Sequence, residues 1–442
     1  MALGESGSRT ATPALARTAP NPSTSSTTRR WSTSGSSERF PDHNEMRAYF
    51  QYVDRKWHVS QDYDFGVGVE GAAFQEDGLL WSISLSDGRC VTARFFIPAV
   101  GFASTPTLPK IPGIESFQGP LRHTADWPHS GLDVAGKRVA VIGTGASGAQ
   151  VVARIAPQVQ SLTVYQRTPV VAIPASPESA KDANLRTATP LTPDGSRAAF
   201  QRTMTSFSGL DYCFQDAASA AVGSPLRDLF NRQFYKEGSR ALVWSNFTDV
   251  VDVREAPLTE ITPTGIRSGK THVEYDVIVC ATGFQSNSAG IARLNITGSR
   301  GVPLTEVWKH RVCSYLGMTV PGFPNMFYLF GPQGPTVKVN LPTAIECQAQ
   351  WILAFLKALR TARVTGCEPT LAAAQAWQEE LRAHWKDTLY AKTTTWEARN
   401  ASNQPEPLWI RGIHRYNEAL QASQALSFRG FTELQPKRTS VL

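Results

Sequence analysis

The segment Lys137–Thr168, KRVAVIGTGASGAQVVARIAPQVQSLTVYQRT, decides the fold class of this chain. Arg138–Ile142 is short and apolar, which predicts a buried strand. Gly143–Gly148 predicts a tight turn, Ala149–Ile155 a helix, and Leu162–Gln166 a second strand. A strand, a helix and a second strand in this order predict one βαβ unit with parallel strands.

The glycines of this turn have the GxGxxG spacing of dinucleotide sites. Gly143 permits the tight turn, Gly145 lets the backbone approach a diphosphate, and Gly148 lets the helix pack closely on the strand. The N–H groups and the positive dipole end at the start of the helix favour an anion. We therefore predict a diphosphate site with the Ser147 hydroxyl as a further donor; its residues are Gly143, Thr144, Gly145, Ala146, Ser147 and Gly148. The alternative is an ordinary glycine turn of an α/β protein.

The end of the second strand indicates which dinucleotide is bound. An NAD site places an acidic residue here, against the ribose 2'-hydroxyl. This chain instead has Gln166, Arg167 and Thr168. A guanidinium can bind a 2'-phosphate through two hydrogen bonds, whereas a carboxylate would repel it. These three residues predict NADPH in preference to NADH; the alternative is an exposed arginine at a strand end.

Strands that alternate with helices over much of the chain predict a doubly wound α/β architecture. Near the start, we expect the helix Asn44–Trp57 and then antiparallel strands at Phe65–Phe74, Leu79–Ser86 and Cys90–Val100. Further along, we expect buried strands at Glu274–Cys280 and Met326–Phe330 and a long helix at Pro342–Leu359.

Composition limits the class of protein. The 442 residues allow two or three domains, and no run of about 18 apolar residues could span a membrane. The charge of +7 is spread along the chain, so nucleic acid is a poor candidate for a partner. Six cysteines without a CxxC pair favour a reduced, cytoplasmic setting with no metal site. Four of the six lie beside strand-like or apolar stretches, which favours small buried side chains there. Residues 1–37 are rich in Ser, Thr, Ala, Pro and Arg and predict a disordered tail, with a mitochondrial transit peptide as the alternative.

Upstream of the glycine turn stands FQGPLRHTADWP, which runs from Phe117 to Pro128. This segment resembles the FxGxxxHxxxWP fingerprint of the Baeyer-Villiger monooxygenases, a family of class B flavin-dependent enzymes. The resemblance implies an α/β flavoprotein with two dinucleotide-binding domains built as three-layer, doubly wound sheets, and it marks His123 as a catalytic residue. On the residues alone, the segment could also be a loop that packs Phe117 and Trp127 into a core, with His123 a structural histidine.

Further stretches resemble the same family in the same order. The segment Glu38-Arg-Phe resembles the fungal and related bacterial branch of the family. The two hinge elements between the FAD and NADP domains are similar to Ala99-Val-Gly101 and Ala281-Thr-Gly-Phe284. Gly331-Pro-Gln-Gly-Pro-Thr336 with Asn340 resembles the return to the FAD domain near the flavin. Trp396 is similar to a tryptophan that contacts the nicotinamide. The resemblance implies Asn340 and Trp396 as cofactor-binding residues.

The resemblance also implies an activity. In this family NADPH reduces FAD, the reduced flavin activates O2, and one oxygen atom is inserted next to a ketone carbonyl to give an ester or lactone. The fungal branch suggests secondary metabolism. An N- or S-oxygenating flavin monooxygenase is one alternative, and a catalytically inactive NADP-binding remnant is another. The oligomeric state does not follow from the sequence.

Two departures from the family pattern set expectations of their own. No glycine-rich βαβ unit stands before residue 38, so the FAD domain is expected to be incomplete. Arg227 is the candidate catalytic arginine in one alignment register. In the other register, which matches more positions, Arg227 is a helix-surface residue, and about sixty residues that include the arginine are missing at Val250-Val251. Four regions are therefore expected: a disordered tail at 1–37, a remnant of the FAD-binding domain at 38–110, an NADPH-binding domain with an inserted helical segment at 111–284, and a C-terminal return at 285–442.

Overall fold

The computed structural model describes residues 43–101, 103–167, 204, 249–285, 288–335, 339–386, 388, 391, 399–400, 404–425 and 427–435. Its helices are α1 His43–Trp57, α2 Ala146–Ile155, α3 Ala289–Ala292, α4 Leu304–Val307, α5 Leu341–Ala362, α6 Leu371–Trp385 and α7 Gly412–Ala425. Its strands are β1 Val69–Gln75, β2 Leu80–Leu85, β3 Cys90–Ala93, β4 Leu121–His123, β5 Arg138–Ile142, β6 Ser161–Gln166, β7 Asp249–Asp252, β8 Leu258–Thr262, β9 Gly265–Ser268, β10 Thr271–Glu274, β11 Val277–Cys280, β12 Ile296–Thr297, β13 Gly366–Pro369 and β14 Phe431–Leu434. The expected tail at 1–37 and the segment around Arg227 lie outside the described residues.

A parallel sheet with the strand order β4-β11-β5-β6-β7 carries the glycine turn. Four of the five residues of β5 and all of β11 are buried, as expected for strands covered on both faces. The predicted βαβ unit is confirmed: β5 begins and ends where the sequence placed it, and β6 is one residue longer. Helix α2 begins at Ala146 instead of Ala149 because Gly145, in extended conformation, already serves as its N-cap.

Strand β7 spans the position at which an internal segment was expected to be missing. Val250 pairs with Val164 and Val251 with Tyr165, so the parallel ladder to β6 runs through this point without a register shift. The expected junction therefore lies inside a strand of the sheet. A loss of residues here keeps the sheet continuous, and the loss itself stays a prediction.

The predicted single strand Glu274–Cys280 is wrong. Glu274 ends β10, which pairs antiparallel with β9, and the chain turns before β11 enters the parallel sheet. The Asp276 carboxylate fixes this turn, because it accepts hydrogen bonds from the backbone N–H of Arg138 at 2.8 Å and from the Arg138 guanidinium at 2.9 Å. The same ion pair lowers the pKa of Asp276 through the hydrogen bond from the Arg138 side chain.

A second sheet with the order β12-β1-β2-β3 contains the expected antiparallel unit, with Gly88 at φ 85° in the turn. The predicted strand Cys90–Val100 is divided, since β3 ends at Ala93. Phe96 then accepts a hydrogen bond from the Phe327 N–H at 3.0 Å and forms a parallel bridge with Met326. Burial of Phe96 against Trp81, at 5.4 Å between ring centroids, accounts for this change of partner.

The largest buried cluster lies around α5, which extends over the predicted helix Pro342–Leu359 by one residue at its start and three at its end. Trp351 stacks on Phe355 within α5, and Trp377 of α6 stacks on Trp409. No described helix is long and apolar enough to cross a membrane. The cysteines behave as small buried side chains where expected: Cys280, Cys347 and Cys367 are at most 2% exposed, and burial raises the pKa of each thiol to about 12.

Candidate nucleotide site

The glycine turn lies at the carboxyl edge of the parallel sheet, where the strand order changes direction. From β5 the chain passes through α2 to β6 on one side, while β11 pairs with β5 on the other. Ligands of open α/β sheets bind in the crevice outside the strand ends at such a point. The predicted diphosphate site therefore has the location that its proposed chemistry requires.

Two glycines of the turn are required by the packing of the backbone. Gly143 has φ 106°, and a Cβ placed there would lie 2.4 Å from the Ala281 carbonyl oxygen. A Cβ on Gly148 would lie 2.2 Å from the Gly143 carbonyl oxygen. No larger residue fits at either position without displacing β11 or α2, so these two glycines build the turn.

Gly145 is different, because a Cβ there would meet no heavy atom of the described residues within 4 Å. Its φ of −63° and ψ of −176° are accessible to any residue. Packing within the chain therefore does not account for this glycine. Open space in front of the backbone, at the N-terminus of α2, is what the approach of a diphosphate requires.

The end of β6 lies beside the glycine turn. The Gly143 N–H donates to the Tyr165 carbonyl at 2.9 Å, which places Gln166 and Arg167 next to the turn. Arg167 is exposed and makes no hydrogen bond or ion pair with another residue in the described ranges. An exposed guanidinium at this edge fits the predicted binding of a 2'-phosphate. Thr168 lies outside the described residues.

His123 ends β4 at the same edge of the sheet, where it pairs with Cys280 of β11. It is 5% exposed, and its Nδ1 accepts a hydrogen bond from the Ala125 N–H at 3.0 Å. Nε2 is buried with no hydrogen-bond partner among the described residues. Burial lowers the pKa of the imidazole, although the Gly283 backbone and Asp126 act in the opposite direction. The ring is therefore neutral at pH 7 and enclosed, a setting that suits positioning of the adjacent backbone better than contact with a substrate.

The second expected hinge element, Ala281–Phe284, pairs beside His123 with the segment 105–107, which follows the first expected element in the chain. The Thr107 N–H donates to the Gly283 carbonyl and the Gln285 N–H to the Thr105 carbonyl, both at 2.9 Å. Phe284 packs edge-on against the His123 ring at 5.7 Å. The second hinge element thus contacts the histidine of the fingerprint segment through Phe284.

Similarity to known proteins agrees with this geometry. Residues 33–286, more than half of the chain, match a family model described as L-lysine 6-monooxygenase/L-ornithine 5-monooxygenase. The FAD-binding monooxygenase lolF1 of Epichloe uncinata is 31% identical over 92% of this chain and 86% of its own length. The cyclopentanone 1,2-monooxygenase of Comamonas sp. is 30% identical over 81% of this chain and 76% of its own length. The chain belongs to the Baeyer-Villiger-type flavin-dependent monooxygenases.

Solved structures show the same fold for this monooxygenase. The NADP+-bound cyclohexanone monooxygenase of Rhodococcus sp. Phi1 superposes with a TM-score of 0.82 at 25% identity, over 98% of this chain and 90% of that one. A steroid monooxygenase bound to NADP gives a TM-score of 0.79 at 27% identity, over 92% and 87% of the two chains. The predicted flavoprotein fold with two dinucleotide-binding domains is confirmed, and FAD and NADP are the cofactors of the enzyme.

The residues of the monooxygenase fit its two cofactors unequally. The open backbone at Gly145 and the exposed Arg167 fit a dinucleotide with a 2'-phosphate. For FAD, the described residues include no second glycine-rich turn between a strand and a helix, and a contact of the loop Gly331–Pro335 with the flavin stays a prediction. The match to lolF1 extends over 468 residues, more than the 442 of this chain, so the alignment contains positions without a counterpart here. The expected loss of residues at Val250-Val251 stays a prediction.

Of the remaining predicted site residues, Asn340 is a buried helix cap, whereas Arg227 and Trp396 are not among the residues that the structure describes. Asn340 is 2% exposed, and its side chain caps α5 by accepting from the Thr343 N–H at 3.4 Å. This cap accounts for the asparagine by itself, and its contact with a cofactor stays a prediction. Arg227 and Trp396 lie outside the described residues, so their roles also stay predictions.

Sequence reasoning missed two polar groups of the monooxygenase. Gln150 lies in the first turns of α2, and its Oε1 is buried without a hydrogen-bond partner among the described residues. A polar side chain directly after the glycine turn was the available signal. Glu406 is 3% exposed, and burial raises its pKa to about 7. No local pattern marks this residue, since its partners are distant in sequence.

Proposed function

We propose that this monooxygenase uses NADPH and FAD to insert one oxygen atom of O2 next to a ketone carbonyl. The products are an ester or lactone, NADP+ and water. The observation that carries the proposal is the glycine turn at the strand-order switch, with open space at Gly145 and the exposed Arg167 beside it. The names of relatives, among them cyclopentanone, cyclohexanone and acetone monooxygenases, support a ketone as the substrate.

The residues of the chain contribute binding and orientation, while bound flavin supplies the oxygen chemistry. The N–H groups at the start of α2 hold the NADPH diphosphate, and Arg167 holds the 2'-phosphate. His123, neutral and enclosed, positions the hinge at Gly283 and Phe284, which joins the nucleotide crevice to the second sheet. Orientation by several weak contacts is an effective way to lower the barrier of a bimolecular reaction.

A role in secondary metabolism rests on the fungal branch that the segment at Glu38 resembles. Relatives from Epichloe uncinata and Aspergillus aculeatus are fungal and are named FAD-binding monooxygenases. The identity of the ketone follows from neither observation. A panel of cyclic and linear ketones is therefore the appropriate first set of substrates.

Oxygenation of an amine is the second candidate, because the matching family model is described by L-lysine and L-ornithine. The two functions separate in one experiment. The purified full-length chain is supplied with FAD and NADPH, and NADPH oxidation is followed with cyclopentanone, cyclohexanone, L-ornithine or no substrate. Products are identified by mass spectrometry.

We expect a yellow protein whose NADPH oxidation rises with a ketone and yields a lactone. Stimulation by L-ornithine with a hydroxylamine product would assign the chain to amine oxygenation. A protein that stays colourless after incubation with FAD, and oxidises no NADPH, would contradict both functions and support the inactive remnant.

A further inference from the structure

The carboxyl end of β7 lies beside the predicted 2'-phosphate site. In the parallel pair of β6 and β7, Gln166 stands opposite Asp252. The Val253 N–H donates to the Gln166 carbonyl at 2.8 Å, so the pairing continues one residue past the end of β7. Adjacent strands lie about 4.8 Å apart. Two arginines therefore follow the strand ends at the same edge of the sheet, Arg167 after β6 and Arg254 after β7.

Arg254 stands in a turn whose backbone is fixed on both sides. Before it, the Val253 N–H is bound to the end of β6. After it, the Ala256 carbonyl accepts a hydrogen bond from the Ser268 hydroxyl of β9. The Arg254 side chain itself is exposed. A held backbone limits the conformational entropy that is lost when an exposed side chain binds a ligand.

The charge of a 2'-phosphate calls for more than one cation. A phosphate monoester carries a charge of about −1.5 to −2 near pH 7 and has three strong acceptor oxygens. A guanidinium that binds it through two hydrogen bonds engages two of these oxygens. With Arg167 bound, one oxygen and a charge of about −0.5 to −1 are left unmatched. A second guanidinium at the same edge would stabilise both.

The other described basic residues of this sheet and of α2 lie elsewhere. Lys137 and Arg138 are at the amino end of β5, and each forms an ion pair with an aspartate. Arg154 is in the last turn of α2, away from the glycine turn. Arg122 is in β4, which three strands separate from β7. Among the described residues, the strand order thus brings Arg254 to the end of β6 as the second cation.

Arg254 does not have to be free to take this part. It has an interaction within the chain, and the exposed Glu255 follows it. A guanidinium has five N–H donors, so it can keep one partner while it binds another. Exposed ion pairs within a chain contribute little, and a doubly charged phosphate therefore competes well for an exposed guanidinium.

We propose that Arg254 is a second 2'-phosphate-binding residue, which acts together with Arg167 to set the preference for NADPH over NADH. This role rests on the proposed function, because it extends the nucleotide site on which that function depends. The ligand class is a nucleotide that carries a phosphate on its ribose 2'-hydroxyl. Arg254 is assigned no contact with the nicotinamide, the flavin or the ketone.

The first test compares two probes that differ only in the 2'-phosphate, adenosine 2',5'-bisphosphate and AMP. Their binding to the purified full-length chain is measured by isothermal titration calorimetry. Arg254→Ala is expected to raise the Kd for the bisphosphate about 5- to 30-fold, because one charged partner of the 2'-phosphate is lost. The Kd for AMP should stay within twofold, which also shows that the adenosine site is folded. NADP+ and NAD+ should give the same contrast.

Two variants control for charge and shape. Arg154→Ala removes the same charge at the other end of α2, and it should leave both Kd values within twofold. Arg254→Lys keeps the charge without the planar fork, so its Kd for the bisphosphate should lie between those of wild type and Arg254→Ala.

The second test is the pH dependence of bisphosphate binding relative to AMP. The 2'-phosphate gains its second charge near pH 6. Wild-type affinity for the bisphosphate should therefore rise, relative to that for AMP, between pH 5.5 and 7.5. This rise should be smaller in Arg254→Ala, since one of the two cations that respond to the added charge is gone. A purely structural role of Arg254 in its turn would leave the rise unchanged.

The outcomes separate this inference from the proposed function. Wild-type affinity of Arg254→Ala for the bisphosphate, or equal weakening of both probes, overturns the role of Arg254 even if ketones are oxidised. A wild-type chain that binds neither probe overturns the nucleotide site and the role of Arg254 together. A loss confined to the bisphosphate supports the role even if no ketone is oxidised, in which case ketone oxygenation alone fails.

Discussion

Gly145→Ala tests the nucleotide site most directly. The protein alone has room for the added methyl group, but this methyl group would occupy the space in which the diphosphate is expected to bind. A Cβ at this position has no heavy atom within 4 Å, and the backbone conformation is accessible to alanine. We therefore expect the folded protein to be unharmed, or stabilised by about 0.4 to 1 kcal/mol through the lower entropy of the unfolded chain.

Binding of NADP+ should weaken sharply in the same variant. The methyl group stands between the start of α2 and the diphosphate, so the charged hydrogen bonds from the turn lengthen or break. Loss of one such bond costs about 1.5 to 3 kcal/mol, which corresponds to a roughly 10- to 150-fold rise in Kd. The affinity for FAD should not change.

Isothermal titration calorimetry with NADP+ and differential scanning fluorimetry measure the two effects separately. Gly78→Ala is the matched control, since Gly78 lies in the turn between β1 and β2 and its Cβ would make an ordinary contact of 3.4 Å with Leu80. The control should leave NADP+ affinity unchanged. Wild-type affinity in Gly145→Ala would refute the assignment of the turn to a diphosphate, and a fall in Tm of several degrees would refute the open geometry at Gly145.

Three further predictions concern the same sheet and the buried carboxyl group of Glu406. Gly148→Ala, whose Cβ would lie 2.2 Å from the Gly143 carbonyl, should lower the free energy of unfolding in urea by about 1 to 3 kcal/mol; a neutral result would contradict the close packing of α2 on β5. Arg167→Ala should raise the KM for NADPH roughly 10- to 150-fold and leave that for NADH unchanged, with Arg154→Ala, at the other end of α2, as the control; equal effects on both cofactors would rule out 2'-phosphate recognition. The pKa of Glu406 is raised from 4.5 to about 7 in the folded protein, so its contribution to stability is fully present below pH 4.5 and is lost as the pH rises through 7. The unfolding free energy of wild type relative to Glu406→Gln should therefore fall by up to about 3 kcal/mol between pH 5 and 8. A difference that does not vary with pH would show that Glu406 does not titrate in this range.

Local patterns in the sequence were sufficient for the nucleotide-binding unit. The apolar run of β5, the spaced glycines and the helix that follows them are encoded within a short segment, and the structure forms them where expected. The physical reason is that strand burial, positive φ and the start of a helix depend mainly on residues close in the chain. The fingerprint from Phe117 to Pro128 then identified the family on the same local basis.

Tertiary contacts decided what the local patterns could not. The division between β10 and β11 depends on the ion pair of Asp276 with Arg138, which stands 138 residues earlier. The burial of His123 depends on its pairing with β11 and its contact with Phe284.

The amino-acid sequence by itself determined the βαβ unit, because its strands, glycine turn and helix are encoded by residues close together in the chain. The family was indicated by the resemblance of a single fingerprint segment. Only the folded chain could show that Glu406 meets Gln333 across 73 residues in a dry interior. A buried carboxylate is stabilised by the hydrogen-bond donors around it. Those donors come from distant parts of the chain and are brought together by packing, which no local pattern encodes.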